Sequence, residues 1–393
     1  MSGPLSSLKV LDFTTLLPGP FGTMVLADWG AEVLKIEAPL RPDMIRMLPP
    51  QQHGVSAAHA YLNRSKSSLA LDLKRPESAE VVKALVAEYD IVVEQFRPGV
   101  MDRLGVGYEA LRAINPRLIF CSITGYGQTG PYRDRAGHDL NYLSIAGITS
   151  YNGRTATGPA PINVQVADVA GGSYHAVMSI LAAVIHRQKT GEGQAIDVSM
   201  TDAAFSMHAL TAPAALISGD EPRLDGTQLN GGSFYDCYET RDGRFFSVAG
   251  IEPQFFAQFC KSIGHPEWAP KGLQLNPETQ RALKADIASV MKTRTYAEWA
   301  EVFAAIDSCT EPVLSFLEAS EHPQIRAREL LVEVPAADGK TQRQIASPVR
   351  FSVTQPQYKN IGVRIGANTD EVLSKNGFSA EQIQTLRKIG AIL

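Results

Sequence analysis

The chain has 393 residues and a formal net charge of −4, with a pI near 6.1, so it has no global field that would draw nucleic acid or an anionic membrane, and any anionic ligand must be held by local groups. Its length exceeds what one small core needs and predicts two domains, or one large domain with a smaller one inserted. The 24 prolines and 32 glycines are spread along the sequence, which fits a loop-rich globular enzyme and not a disordered tail.

The start, "MSGPLSSLKV", lacks the charge and apolar pattern of a signal peptide, and the apolar runs "LDFTTLL" and "AVMSILAAVI" are too short or too flanked by polar residues to cross a bilayer. A cytoplasmic protein without a membrane or nucleic-acid partner is expected. Short apolar, β-branched runs then alternate with amphipathic segments: "LKVLDFT", "AEVLKIE", "SSLALDL", "YDIVVEQF" and "RLIFCSIT". Strands a dozen or more residues apart with helical patterns between them are what a parallel sheet covered on both faces requires. The fold class predicted is α/β, a doubly wound, Rossmann-like parallel sheet with its ligand site beyond the carboxyl ends of the strands.

A long apolar helix is predicted from Asp168 to Gln188, then a strand in "AIDVSM" and a helix through "AAFSMHALTAPAAL". The Gly-rich "DGTQLNGGS" reads as a linker. "FYDCYET" and "RFFSVAG", flanking Arg241, Asp242 and Gly243, read as a hairpin. The expected organisation is a large domain over 1–200 and 325–393, a small α+β domain over 225–320, and linkers at 201–224 and 321–324. Asn368 with Glu371, and Ser379 with Gln382, are spaced like helix N-cap pairs.

Several side chains carry potential chemistry. Gly19, Gly22 and Gly30 after the first strand do not make the G-x-G-x-x-G fingerprint, so nicotinamide chemistry is not expected. Lys74, Arg97 and Arg103 follow predicted strands on the ligand side of the sheet, where cations suit a phosphate-bearing handle. His138 in "RAGHDLNY" falls at a helix start, with Asp139 placed to accept orphan amide hydrogens. Asp168 also falls at a helix start. The following Gly171 and Gly172 cost roughly 1 kcal/mol each relative to alanine, which close helix packing or a ligand must offset. Glu252 precedes Pro253 at another helix start. The eight histidines show no H-x-H or H-E-x-x-H spacing, and Cys121, Cys237, Cys260 and Cys309 form no C-x-x-C pair. Neither a metal site nor a disulfide framework is expected.

These stretches, from "LKVLDFTTLLPGPFGTMVLADWGAEVLKIE" through "LALDLKRPE", "FRPGVMDRLGVG", "ITGYGQTGPY", "AGHDLNYLSIAGI" and "VADVAGGS" to "GIEPQFF", resemble the family III coenzyme A transferases, also called the CaiB/BaiF family. "GHDLNY" points to the branch that inverts 2-methyl-branched acyl thioesters. The resemblance implies an acyl-CoA substrate, no cofactor beyond the coenzyme A it carries, and an interlocked homodimer with its active site between large and small domains. It implies catalytic roles for His138 and Asp168 on opposite sides of the α-carbon, with Glu252 orienting His138 and Asp139 beside it. Leu71, Lys74, Arg97, Arg103 and Tyr142 match positions lining the coenzyme A site. Ala38 stands where some relatives carry arginine, and Arg41 is the candidate replacement. An acyl pocket would draw on residues such as Met44, Ile45, Phe234 and Tyr235. Two other readings stand beside inversion: a coenzyme A transferase with Asp168 as nucleophile, and a thioester-binding protein without catalysis.

Overall fold

The structure, a computed structural model, describes residues 3–393. The chain divides into two compact units, one reaching up to Ala146 and including Val164–Met207 and Arg326–Leu393, the other comprising Gly147–Asn163 and His208–Ile325.

The first unit is built on six strands: β1 (Lys9–Asp12), β2 (Glu32–Glu37), β3 (Ser67–Ala70), β4 (Ile91–Glu94), β5 (Ile119–Thr124) and β6 (Ala195–Ser199). They lie in the order β6-β5-β4-β1-β2-β3, and every neighbouring pair is parallel. β4 and β5 are buried at every position, as continuous apolar runs between two helical layers must be. From β1 the chain first winds towards β3, then returns to β4 and winds the other way. The loops after β1 and β4 therefore diverge, and a crevice opens between them at the switch point.

Helices α1 (Pro18–Asp28) and α2 (Pro76–Val86) both open with proline, whose missing N–H is no loss in the first turn. α2 turns Val81, Val82, Leu85 and Val86 inward onto the sheet, each burial contributing roughly 1.5–3 kcal/mol before conformational entropy is subtracted. Helix α3 spans Asp139–Ile145.

The predicted helix from Asp168 differs in kind. Ala167–Tyr174 is π-helical and runs into α4 (His175–Thr190). Here the two glycines find their reason in packing. A Cβ on Gly172 would lie 3.0 Å from Pro18 Cβ and 3.1 Å from Met200 Cγ, and one on Gly171 would lie 3.2 Å from the Met200 carbonyl oxygen. Ser173 Oγ completes the contact by donating to the Pro18 carbonyl at 2.6 Å. The 24 residues from Ala167 to Thr190 are long and apolar enough to cross a membrane by length and composition, a point the shorter sequence runs did not reveal. In this fold the helix lies on the sheet, burying Ala176, Val177, Ile180, Ala183 and Val184.

α5 (Met200–Ser206) closes the middle segment of this unit. Near the end of the chain, α10 (Thr369–Lys375) and α11 (Ala380–Lys388), numbered after the helices of the second unit, bring Leu373, Ile383 and Leu386 to the sheet core. Ser379 and Gln382 cap α11 reciprocally, at 2.7 and 3.2 Å. Asn368 does not cap its own helix; its Oδ1 accepts the Ser68 N–H at 3.1 Å, tying α10 to β3.

The second unit contains α6 (Thr211–Ser218), β7 (Asp236–Glu239), β8 (Phe245–Val248), α7 (Pro253–Ser262), α8 (Pro277–Met291), α9 (Tyr296–Phe303) and β9 (Thr310–Pro312). β7 and β8 form the hairpin around Arg241–Gly243, and β9 adds antiparallel to β8. The core is aromatic: Phe234, Phe246, Phe256, Phe259, Trp299 and Phe303 are all buried. The unit extends beyond 225–320, and the stretch 201–224 carries α5 in one unit and α6 in the other. Arg154 explains the added 147–163 segment and why "DGTQLNGGS" is no loose linker. Its guanidinium donates to Asp225 at 3.3 Å and to the Asn230 carbonyl at 2.8 Å, and it also pairs with Asp236.

Candidate active site

The crevice of the first unit is a cleft of about 700 Å³. Leu16–Pro18 from the loop after β1, and Gln95–Pro98 from the loop after β4, form two of its walls. A buried polar network holds the first wall. The Asp12 carboxylate accepts from Thr14 N–H at 3.0 Å, Thr23 Oγ at 2.6 Å and Lys66 Nζ at 2.9 Å. Lys35 Nζ donates to the Thr14 carbonyl at 2.8 Å and to Asp43 at 3.3 Å. Both Asp43 oxygens accept the Leu16 N–H at 3.1 Å, which fixes Leu16 at φ +60°, a left-handed conformation that a non-glycine residue adopts only when its surroundings enforce it. Burial alone would raise the Asp12 pKa, but the Lys66 and Lys35 ammonium groups and two hydroxyl donors hold it at about 2.

His138 and Asp168 line the same cleft. His138 is the residue before α3, in extended backbone with φ −132° and ψ 174°. Its N–H donates to Asn141 Oδ1 at 3.0 Å, while Asn141 N–H donates back to the His138 carbonyl at 2.8 Å. That reciprocal pair sets the entry of the chain into α3 and leaves the imidazole exposed to the cleft. Asn141 was not singled out from sequence, although its position three residues after His138 is the spacing of a capping box.

Asp139 corrects an expectation. Its carboxylate does not serve its own helix; Oδ1 accepts the N–H of Asp168 at 3.0 Å, and the Ala167 N–H bonds to it as well. One carboxylate therefore joins the α3 start to the π-helical turn and holds Asp168 in the cleft that His138 also lines. It also removes the Asp168 amide from the donors available to a ligand. Asp168 titrates at about 6, pushed up by burial and then by the like charge of Asp139, with His138 opposing. Burial pushes Asp139 up too, against the pull of the two amides.

The other sequence candidates are distributed as follows. Leu71 and Lys74 line a second cavity of about 300 Å³, together with Ala38 and Arg41. Arg41 lies 3.6 Å from Asp72. Phe96 borders both cavities, and Arg97 lies in the large cleft. Tyr142 is buried on the cleft wall, its hydroxyl donating to the Gly137 carbonyl. Arg103 lines neither cavity; it is exposed and its guanidinium lies over Gly99. Ile45 reaches the cleft and Met44 is exposed nearby in sequence. Phe234 is core, stacked on Phe256 at 3.8 Å between ring centroids, which removes it from any pocket; Tyr235 is half-buried in the same unit. Glu252 belongs to the second unit, exposed, with its carbonyl accepting the N–H groups of Phe255 and Phe256 at 3.1 Å. Arg133 and Arg135, which also line the cleft, carried no sequence signal beyond their charge.

The model of CoA-transferase family III matches residues 5–369. The chain belongs to that family. It is 35% identical to the alpha-methylacyl-CoA racemase of Homo sapiens over 97% of this chain and 96% of the relative. It is 33% identical to the succinate–glutarate CoA-transferase of Agrobacterium fabrum over 95% of each chain. A solved CaiB/BaiF family protein from Brucella suis superposes with a TM-score of 0.83 at 30% identity, covering 96% of this chain and 100% of that one.

Proposed function

We propose that the protein inverts the α-carbon of 2-methyl-branched acyl-CoA thioesters by 1,1-proton transfer between two bases, His138 and Asp168. The observation that carries this reading is their presence in one cleft, with Asp168 titrating at about 6. A carboxyl poised near neutrality has a useful population of both forms and can take a proton or give one. In one direction a base removes the α-proton to leave an enolate, and the opposite acid delivers a proton to the other face of the same carbon. The reverse reaction exchanges the roles. A positioned base supplies typically ~10²- to 10⁴-fold, so the enolate oxygen also needs a donor. With the Asp168 amide occupied, we assign that task to the start of α3, where the amides of Asp139 and Leu140 have no acceptor within the helix.

The family resemblance supports a role for Leu71, Lys74, Arg97 and Tyr142 around the coenzyme A, and for Glu252 as a further carboxylate of the reaction. Arg103 enters the proposal only through the resemblance. The same resemblance suggests a homodimer. Its support here is apolar surface: Met178 and Ile185 on α4 and, in the other unit, Leu216 and Ile217 on α6 are more than half exposed.

The second reading is coenzyme A transfer with Asp168 as nucleophile, favoured by the near-equal similarity to a transferase. Incubating one enantiomer of a 2-methylacyl-CoA with the protein in deuterated water separates the two. Inversion with deuterium entering at the α-carbon is expected. Retained configuration, with coenzyme A passing instead to an added carboxylic acid, would replace the first reading by the second.

A further inference from the structure

Glu94 ends β4 at the switch point and is 4% exposed. Its Oε2 accepts the Phe96 N–H at 2.7 Å, and Ser122, its register partner on β5, hydrogen-bonds its carboxylate. The next side chain fastens the same turn, since Gln95 Oε1 accepts the Gly19 N–H at 3.1 Å. This turn carries Phe96, the wall between the cavity of Leu71 and Lys74 and the cleft of His138 and Asp168, and then Arg97. Two consecutive side chains therefore determine where the partition between the cavities stands.

The surroundings of Glu94 are unusual for a buried carboxylate. No ion pair forms to it among the described residues. A third cavity, of about 300 Å³, is lined by Glu94, Arg97, Asp102, Tyr108, Ser122 and Asp197. Burial pushes the Glu94 carboxyl up to about 7; the Ser122 and Phe96 hydrogen bonds oppose this, and the charges of Asp102 and Asp197 add to it.

We propose that Glu94 is a positioning residue whose carboxylate, through the Phe96 amide, holds the Phe96–Arg97 turn in the placement that binds the coenzyme A part of the substrate. This rests on the coenzyme A reading of the previous section. An ionised acceptor makes a hydrogen bond roughly twice as strong as a neutral one, so protonation of Glu94 loosens the turn and lowers affinity without touching the reacting carbon.

The test is calorimetric titration of coenzyme A into the wild-type chain, Glu94→Gln and Ser122→Ala between pH 6 and 8. Every other titrating group is common to all three proteins, so differences between them isolate Glu94. Wild-type affinity is expected to fall by about tenfold more than that of Glu94→Gln between pH 8 and pH 6, the difference between a hydrogen bond to a charged and to a neutral group. Glu94→Gln should bind weakly at both ends. Ser122→Ala should move the wild-type midpoint upward, because the hydroxyl stabilises the charged form, which a purely structural role would not do. If Glu94→Gln loses its thermal unfolding transition, the Ser122→Ala midpoint decides. Parallel pH curves with an unmoved midpoint overturn the inference alone; a wild type that binds no coenzyme A overturns the functional reading and this inference with it.

Discussion

Asp12 and Asp168 are carboxylates of the same unit on opposite sides of ordinary behaviour. Asp12 is wholly buried and titrates at about 2, whereas Asp168 is less buried and titrates at about 6. Depth alone would order them the other way. Asp12 has two lysines and two hydroxyls turned towards it, and Asp168 has another carboxylate. At Asp12 the cations outweigh depth and the network fixes a loop, whereas at Asp168 burial acts unopposed by any lysine and the Asp139 charge adds to it.

The largest test of that contrast removes the Asp168 carboxyl. Asp168→Ala is expected to lower α-proton exchange and inversion by at least ~10²- to 10⁴-fold, measured by mass and stereochemical analysis of one thioester; full activity would break the assignment. Next in size, Lys66→Met strips Asp12 of its closest cation. An unpaired buried charge costs about 3–5 kcal/mol, to be read as a lower urea midpoint, and an unchanged midpoint would mean that burial had been misjudged. A third measurement follows wild-type stability into acid. The Asp12 pKa lies below its ordinary 3.8, so its contribution, roughly 2 kcal/mol, is present above that value and lost as pH falls through about 2. For Asp168 the sign reverses: a raised pKa means that ionisation destabilises the fold, so Asp168→Asn should be more stable than wild type above pH 6 and equal to it near pH 3. The smallest effect is expected from Asp139→Asn, which removes the like charge. The acid limb of the pH–rate profile should move below about 6, and an upward move would show that Asp139 acts on Asp168 by another route.

What the sequence revealed follows from what was local. All six strands of the parallel sheet, the prolines opening α1, α2 and α7, and the β7–β8 hairpin are encoded in runs of a few residues, where periodicity and turn chemistry decide the outcome. His138 and Asp168 emerged through resemblance, and the structure places both in one cleft. The partners that define their chemistry were hidden, because they are not local. Asp139 reaches Asp168 across 29 positions and Lys66 reaches Asp12 across 54. Similarly, Arg154 recruits 147–163 to the second unit through contacts some 70 residues away. Phe234 illustrates the reverse error: an aromatic side chain beside a Gly-rich run suits a pocket or a core equally well, and only its stacking on Phe256 decides.

The three-part first unit has a consequence for how the protein is made. The carbonyl of Ala391 accepts the Asp72 N–H at 2.8 Å, and Leu386 and Ile392 complete the apolar layer behind β3. The turn carrying Leu71 and Lys74 thus waits, during translation, for residues that leave the ribosome long after it does. A nascent chain holds the sheet strands well before it holds the residues that close the cavity lined by Leu71 and Lys74.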